Sequence, residues 1–329
     1  MTSRTLLKRF GPLVLLAVLV GLLSLLVPDF LGLRNLRGLL LSVTLVGTIA
    51  ATMMLVLAMR EVDLSVGSIV ALSGVLAAVG MSATGSIAIG VLAGLAGGAM
   101  VGFVNGVLVA GFRVNSLIVT LAMMEVVRGL AFLASGGESV AIGLQGFYEL
   151  GSGGVFGLSW PIWSMIVSFA VFGVILKATV FGRNILAIGG NPEAARLAGV
   201  PITRVRIIVF TLQGLVAGLA GIILAARITS GQPNTSVGLE LAVISACVLG
   251  GVSLSGGLAT MGGVIIGVFI MGAAQNALNL LNVPTFYQYV VRGGILLLAV
   301  VADRLRQDGR LPRLRLRFKE TDRSDTQNV

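Results

Sequence analysis

The amino-acid sequence predicts an all-α polytopic membrane protein with about ten transmembrane helices, and three observations carry that prediction. Apolar residues fill 56% of the 329 positions and charged residues only 11%, with a mean hydropathy of +1.03. A soluble domain of this length needs far more charge to keep its surface wet. Apolar runs of membrane-spanning length recur from one end of the chain to the other. Finally, the 46 glycines are too many for soluble helices but suit membrane helices, which use small residues to bring backbones together.

The runs fall at roughly 11–27, 39–59, 64–81, 87–110, 116–134, 161–178, 205–226, 239–252, 260–281 and 286–303. Arg4, Lys8 and Arg9 precede the first run, as in a signal peptide. No small-x-small cleavage site follows, and the run closes on Val27-Pro28-Asp29-Phe30, so it reads as an uncleaved span. Only Arg60-Glu61-Val62-Asp63 separates the second and third runs, and the run 239–252 is short. Either place fits a broken or re-entrant element. Cys247, the one cysteine, lies in that short run and reads as core. Residues 1–306 form the membrane domain, and 307–329 form a basic, then polar tail.

Positive charge sets the expected orientation. With both termini in the cytosol, the inner side collects the terminal basic residues together with Arg60, Arg113, Lys177, Arg183, Arg196, Arg204 and Arg206. The outer side or outer half-spans keep Arg34, Arg37, Arg128, Arg227 and Arg292, of which Arg34 and Arg37 depart mildly from the rule. The loop 135–160 carries Glu138 and Glu149 without a basic residue and is placed outside. The net charge of +10 therefore reflects membrane orientation, with attraction to anionic lipid, and not nucleic-acid binding.

A repeat divides the chain. Asn105-Gly106-Val107-Leu108, Val114 and Val126-Val127-Arg128-Gly129 recur as Asn276-Ala277-Leu278, Val283 and Val290-Val291-Arg292-Gly293. Asp63-Leu64-Ser65-Val66 resembles Glu240-Leu241-Ala242-Val243. Five spans per half would invert one half relative to the other, a transporter device.

Several residues are candidates for function. Gly90, Gly94, Gly98, Gly102 and Gly106 are spaced by four and line one helix face, chiefly for packing. Glu125 and Arg128 share a face, either as a polar patch on a translocation path or as a structural pair that lowers the cost of intramembrane charge. Arg292 is the repeat-matched partner of Arg128. Asn105, Asn115, Thr120, Gln275, Asn276 and Asn279 offer donors and acceptors to a polar solute on a translocation path, and equally to neighbouring helices. Asp63, Ser65 and Ser68 form a helix-entry turn in which the serines can cap the helix, with a gate as the alternative. The absence of histidine removes the commonest metal ligand and proton shuttle, and no metal site is expected. The only lysines are Lys8, Lys177 and Lys319, none after a glycine-rich turn, so the chain itself does not hydrolyse ATP.

The polar stretch 182–204 contains a complete short helix on paper. Asn191 suits the N-cap, Pro192 the first position and Glu193 the positive dipole end, followed by Ala194, Ala195, Arg196, Leu197 and Ala198, with Gly199 for a left-handed stop. Such a helix serves as a capped surface connector or docks into another protein.

The segments FGRNILAIGGNPEAARLAGV (181–200), ITSGQPNTSVGLEL (228–241), ACVLGGVSLSGG (246–257), DLSVGS (63–68) and VNSLIVTLAMMEVVRGLAF (114–132) resemble the permease subunits of bacterial monosaccharide ABC importers, the branch handling ribose, xylose, galactose and arabinose. The likeness covers nearly the whole chain and is greatest to the arabinose-handling members. Glu125 departs from the neutral Gln that the branch leads one to expect. The resemblance implies a homodimeric pore in the inner membrane and a periplasmic sugar-binding protein. It also implies a cytosolic ATPase that uses ATP and Mg2+, while this chain binds no cofactor. Asn191–Gly199 would be the coupling helix to that ATPase. The competing class is an ion-coupled secondary transporter using Glu125 or Asp63.

Overall fold

The structure, a computed structural model, describes residues 3–308, and the predicted tail beyond Asp308 lies outside the described residues. The chain is helical almost throughout. Six helices are long and apolar enough to cross a membrane: α4 (Val66–Thr84), α5 (Ile87–Gly106, extended by a π-turn to Gly111), α6 (Ser116–Ser135), α8 (Trp160–Ala178), α11 (Ile202–Ile228) and α13 (Met261–Leu280). A seventh span results if α2 (Leu33–Ser42) and α3 (Thr44–Ala58), bent by 42°, are taken together. The bend has a local cause. The hydroxyls of Ser42 and Thr44 bond back to the carbonyls of Leu39 and Leu41, drawing acceptors away from the helical ladder.

The other predicted runs give apolar helices below that length: the Gly11–Leu26 part of α1 (Ser3–Leu26), α12 (Leu239–Leu249) and the Thr285–Val301 part of α14 (Thr285–Asp308). The run 239–252 therefore does not form a full span. Its helix has 11 residues, about 16 Å at 1.5 Å per residue, against about 30 Å of hydrocarbon. Gly250 and left-handed Gly251 (φ +86°) end it. The loop 135–160 contains α7 (Gln145–Ser152), and two-residue ladders pair β1 (Val140–Ala141) with β4 (Ser230–Gly231) and β2 (Gly154–Val155) with β3 (Leu158–Ser159). Two small helices complete the order, α9 (Val180–Gly190) and α10 (Pro192–Leu197).

The centre of the bundle is α4, α5 and α11. Helix α4 is apolar all round and buried on nearly every side, as a helix within a membrane bundle must be. The five glycines spaced by four along α5, Gly90 to Gly106, are all buried. A Cβ at Gly98 would lie 2.5 Å from the Gly214 carbonyl oxygen and 2.9 Å from Gly218 Cα, and one at Gly102 would lie 3.0 Å from Gly214 Cα. The ladder thus sets α5 against α11 at backbone distance, while Gly90 and Gly94 admit the carbonyls of Ala77 and Ser73 from α4. In the second half, Gly263 and Gly267 play the same part against α12. Cys247 is buried, with its thiol 3.6 Å from the Ala50 carbonyl.

Candidate functional site

The short helix expected over 191–199 occupies Pro192–Leu197. The Asn191 Oδ1 accepts from the amides of Glu193 and Ala194, each at 3.1 Å, and Gly199 takes the left-handed conformation at φ +80°. Arg196 donates to both carboxylate oxygens of Glu193, at 3.1 and 2.5 Å. Ala195 is buried and anchors the helix, whereas Glu193, Arg196 and Leu197 face outward. Nothing else in the described chain engages that outward face.

The hydrogen bond and the positive charge of Arg196 hold the Glu193 carboxyl below its ordinary range. A lowered pKa means that the pair contributes above the ordinary range, and that the contribution is lost as pH falls through the lowered value. The expected result is a Glu193 side chain that titrates at lower pH in the wild type than in Arg196→Ala, read by NMR. Identical titration in the two proteins would show that the pair does not persist in solution.

Beside this helix opens a cleft of about 830 Å³. Its walls come from the π-turn after α5, the start of α6, α10 and the start of α11. Arg60, Glu61, Arg113, Asn115, Glu193, Arg196 and Arg206 line it. Glu61 pairs with Arg206 at 2.9 Å, and Arg60 donates to the carbonyls of Gly189 (2.6 Å) and Gly190 (2.8 Å). Asn115 caps α6, accepting from Leu117 at 2.9 Å.

Behind the cleft lies the helix-entry turn. The Asp63 Oδ1 accepts from both the amide (2.9 Å) and the hydroxyl (2.6 Å) of Ser65, and Asn105 donates to that hydroxyl at 2.9 Å. The expected serine caps are therefore absent. The Ser65 hydroxyl is committed to Asp63 and makes no cap to α4, and the Ser68 hydroxyl has no partner among the described residues. Thr120 donates to the carbonyl of Ser116 at 2.8 Å. Asp63, Ser65, Ser68, Asn105 and Thr120 are all buried.

The Glu125–Arg128 pair is not an ion pair in the structure; among the described residues the ion pairs are Glu193–Arg196 and Glu61–Arg206. Glu125 is exposed, and Arg128 turns instead to the carbonyls of Pro233 and Thr235, both at 2.7 Å. A guanidinium in a helix flank finds fixed, preorganised acceptors there, where a mobile carboxylate would cost side-chain entropy. Arg292 donates to the Gln275 Oε1 at 3.3 Å and stands 5.7 Å over the Tyr289 ring. Gln275 donates to Gln288, which donates to Asn279 at 3.1 Å, so Gln275, Asn279 and Arg292 belong to one network. Asn276 points elsewhere and forms a reciprocal amide pair with Asn35, both bonds at 2.9 Å.

Sequence reasoning passed over Glu240 as a site residue. Its carboxylate rests where only Gly67 can stand, 2.6 Å from a Cβ placed there, and the Arg292 guanidinium lies 3.8 Å from a Cβ placed at nearby Gly238. A signal was present, since Glu240 begins the segment that matches Asp63-Leu64-Ser65-Val66. The Arg60 contacts and the Glu61–Arg206 and Asn35–Asn276 pairs left no signal, because they join residues distant in sequence.

The profile of the family described as branched-chain amino acid transport system / permease component matches residues 35–300. The chain belongs to this permease family. Among its curated relatives is an L-arabinose ABC transporter permease protein of Azospirillum brasilense, 62% identical over 305 residues, 93% of this permease and 90% of the relative. An L-arabinose transport system permease protein of Escherichia coli strain K12 is 51% identical over 299 residues, 91% of each chain. A ribose import permease protein of Bacillus subtilis is 41% identical over 300 residues, 90% of this permease and 93% of the relative. No solved structure matches it. The permease is thus a multi-pass membrane protein and a transport subunit.

Proposed function

We propose that this permease is the membrane subunit of an ATP-driven importer of L-arabinose, which passes the sugar from a periplasmic binding protein to the cytosol by alternating access. The observation that carries the reading is the order of identities: two L-arabinose permeases at 62% and 51% over nine-tenths of the chain, against 41% for ribose permeases.

In this reading two copies form the pore in the bacterial inner membrane, with both termini and α10 on the cytosolic side. The partner ATPase supplies the ATP and Mg2+ chemistry. Asn191–Gly199 is the coupling helix: its own caps fold it, buried Ala195 anchors it, and Glu193, Arg196 and Leu197 are left outward beside the cleft. Residues 1–306 are the membrane domain and 307–329 a cytosolic tail. The ten apolar segments, three of them short, are read as two inverted halves of five. The match of Val126-Val127-Arg128-Gly129 to Val290-Val291-Arg292-Gly293 supports that reading. A neutral sugar would pass between Asn105, Asn115 and Thr120 at the cleft end and Glu125, Arg128, Gln275, Asn276, Asn279 and Arg292 beyond.

Labelled L-arabinose uptake in cells lacking their own permease tests the proposal. Uptake is expected only when the chain is expressed with both its ATPase and a sugar-binding protein. Uptake by the chain alone, abolished by a proton ionophore, would overturn it in favour of ion coupling. Uptake of ribose but not arabinose by the complete set would reassign the sugar.

A further inference from the structure

Arg60 sits where three separate backbones meet. It follows α3 and is held in the left-handed region at φ +65°. Its Nε and Nη2 grip two consecutive carbonyls, Gly189 at 2.6 Å and Gly190 at 2.8 Å. These are terminal acceptors of α9, which lack partners within their own helix and carry the negative end of its dipole. The next residue is Asn191, the N-cap of α10. The third backbone is the 256–257 turn. Gly257 donates to the Ala58 carbonyl at 2.9 Å, and a Cβ at Gly256 would lie 2.9 Å from the Gly189 oxygen. The Arg60 Cγ lies closer still to a Cβ placed at Gly256, so the Arg60 side chain is packed between the 256–257 turn and the end of α9 that leads into α10.

From Arg60 the linker 60–65 spreads into the bundle. Glu61 pairs with Arg206 of α11 at 2.9 Å. The Val62 amide donates to Ser116 of α6 at 3.2 Å. Asp63 and Ser65 bond each other, Ser65 accepts from Asn105 of α5, and α4 begins at the next residue. Six residues thus touch four long helices, three of which form the central packing.

We propose that Arg60 is the positioning residue that carries displacement of the short helix into the membrane bundle, with the 60–65 linker distributing it to α4, α5, α6 and α11. This rests on the coupling-helix reading of Asn191–Gly199. A bidentate guanidinium suits the task, since it fixes direction as well as distance.

The test uses the whole importer, permease with ATPase and binding protein, in proteoliposomes. ATP hydrolysis and labelled L-arabinose uptake are measured on the same preparation of wild type, Arg60→Ala and Arg60→Lys. The ATPase is expected to co-purify with both variants and to keep hydrolysing ATP. The sugar moved per ATP is expected to fall about tenfold in Arg60→Ala, within the range seen for residues along coupling routes. Arg60→Lys should recover part of it, because an ammonium reaches one carbonyl but not both. A merely structural role would lower uptake and hydrolysis together, in proportion to the assembled protein, and leave the ratio unchanged; that result overturns the proposal. Should Arg60→Ala fail to reach the membrane, Arg60→Lys decides, and a wild-type ratio there overturns it equally. Failure of the coupling-helix reading itself would show separately, as normal uptake in a variant altered only at Glu193 and Arg196.

Discussion

Inverting the charges on the short helix, Glu193→Lys together with Arg196→Glu, is expected to abolish transport while the protein remains in the membrane. Both side chains stand outward, 66% and 65% exposed, and bond only each other. The inverted pair keeps the i,i+3 spacing, so the two groups can still meet on the same face. Asn191, Pro192 and Gly199, which define the helix ends, are untouched. Lys in the first turn and Glu in the last oppose the helix dipole by about 0.3–1 kcal/mol each, but the caps remain, so the main change falls on the surface offered to a partner. At a docked interface, reversed charges oppose their partners where water is excluded, and like-charge contacts cost several kcal/mol. Uptake is expected to drop by at least about a hundredfold. It is measured as labelled arabinose entry, with membrane content checked by immunoblot and ATPase attachment by co-purification. Normal uptake by this variant would sink the coupling role of the helix.

The largest effect on stability is expected at Gly102→Leu. A Cβ at this position already meets the Gly214 amide and Cα at 3.0 Å, and the Phe210 carbonyl closer still. The obstacles are backbone atoms of α11, which cannot rotate away as a side chain can. Overpacking costs about 1–3 kcal/mol where neighbours can adjust, so this substitution belongs at or beyond the upper end. It should separate α5 from α11 and expose the protein to aggregation in detergent. Gly129 is the control. It also lies within a helix, but nothing stands within 4 Å of its would-be Cβ. Gly129→Ala should be neutral or stabilising by up to about 1 kcal/mol, because alanine restricts the helix backbone better than glycine. Thermal denaturation of the purified proteins reads both. If Gly102→Leu melts with the wild type, the glycine ladder does not set the helix spacing.

The bundle's polar interior follows a similar logic. Asp63 is fully buried; Ser65 donates to it and Asn105 donates in turn to the Ser65 hydroxyl, one line of hydrogen bonds from the linker into α5. Buried polar groups with defined partners fix a single arrangement of the helices around them. Arg128 does likewise for the 233–235 loop, holding two carbonyls that would otherwise point into an apolar bundle.

Local pattern alone determined a good deal about this protein. Hydropathy and glycine content are enough to establish a polytopic helical chain. Spacing by four places Gly90 to Gly106 on one face. Asn191, Pro192 and Gly199 define a short helix because capping depends on residues within one turn of the end. Tertiary structure alone decided the rest. Arg128 went to a distant loop and not to Glu125 three residues away, and Arg60, Glu61 and Glu240 met α9, α11 and Gly67. The physical reason is the same in each case. Periodicity and caps are set by neighbours in sequence. Whether a polar side chain bonds within its own helix or across the bundle depends on which backbone carbonyls and amides the packing of other helices leaves within about 3 Å.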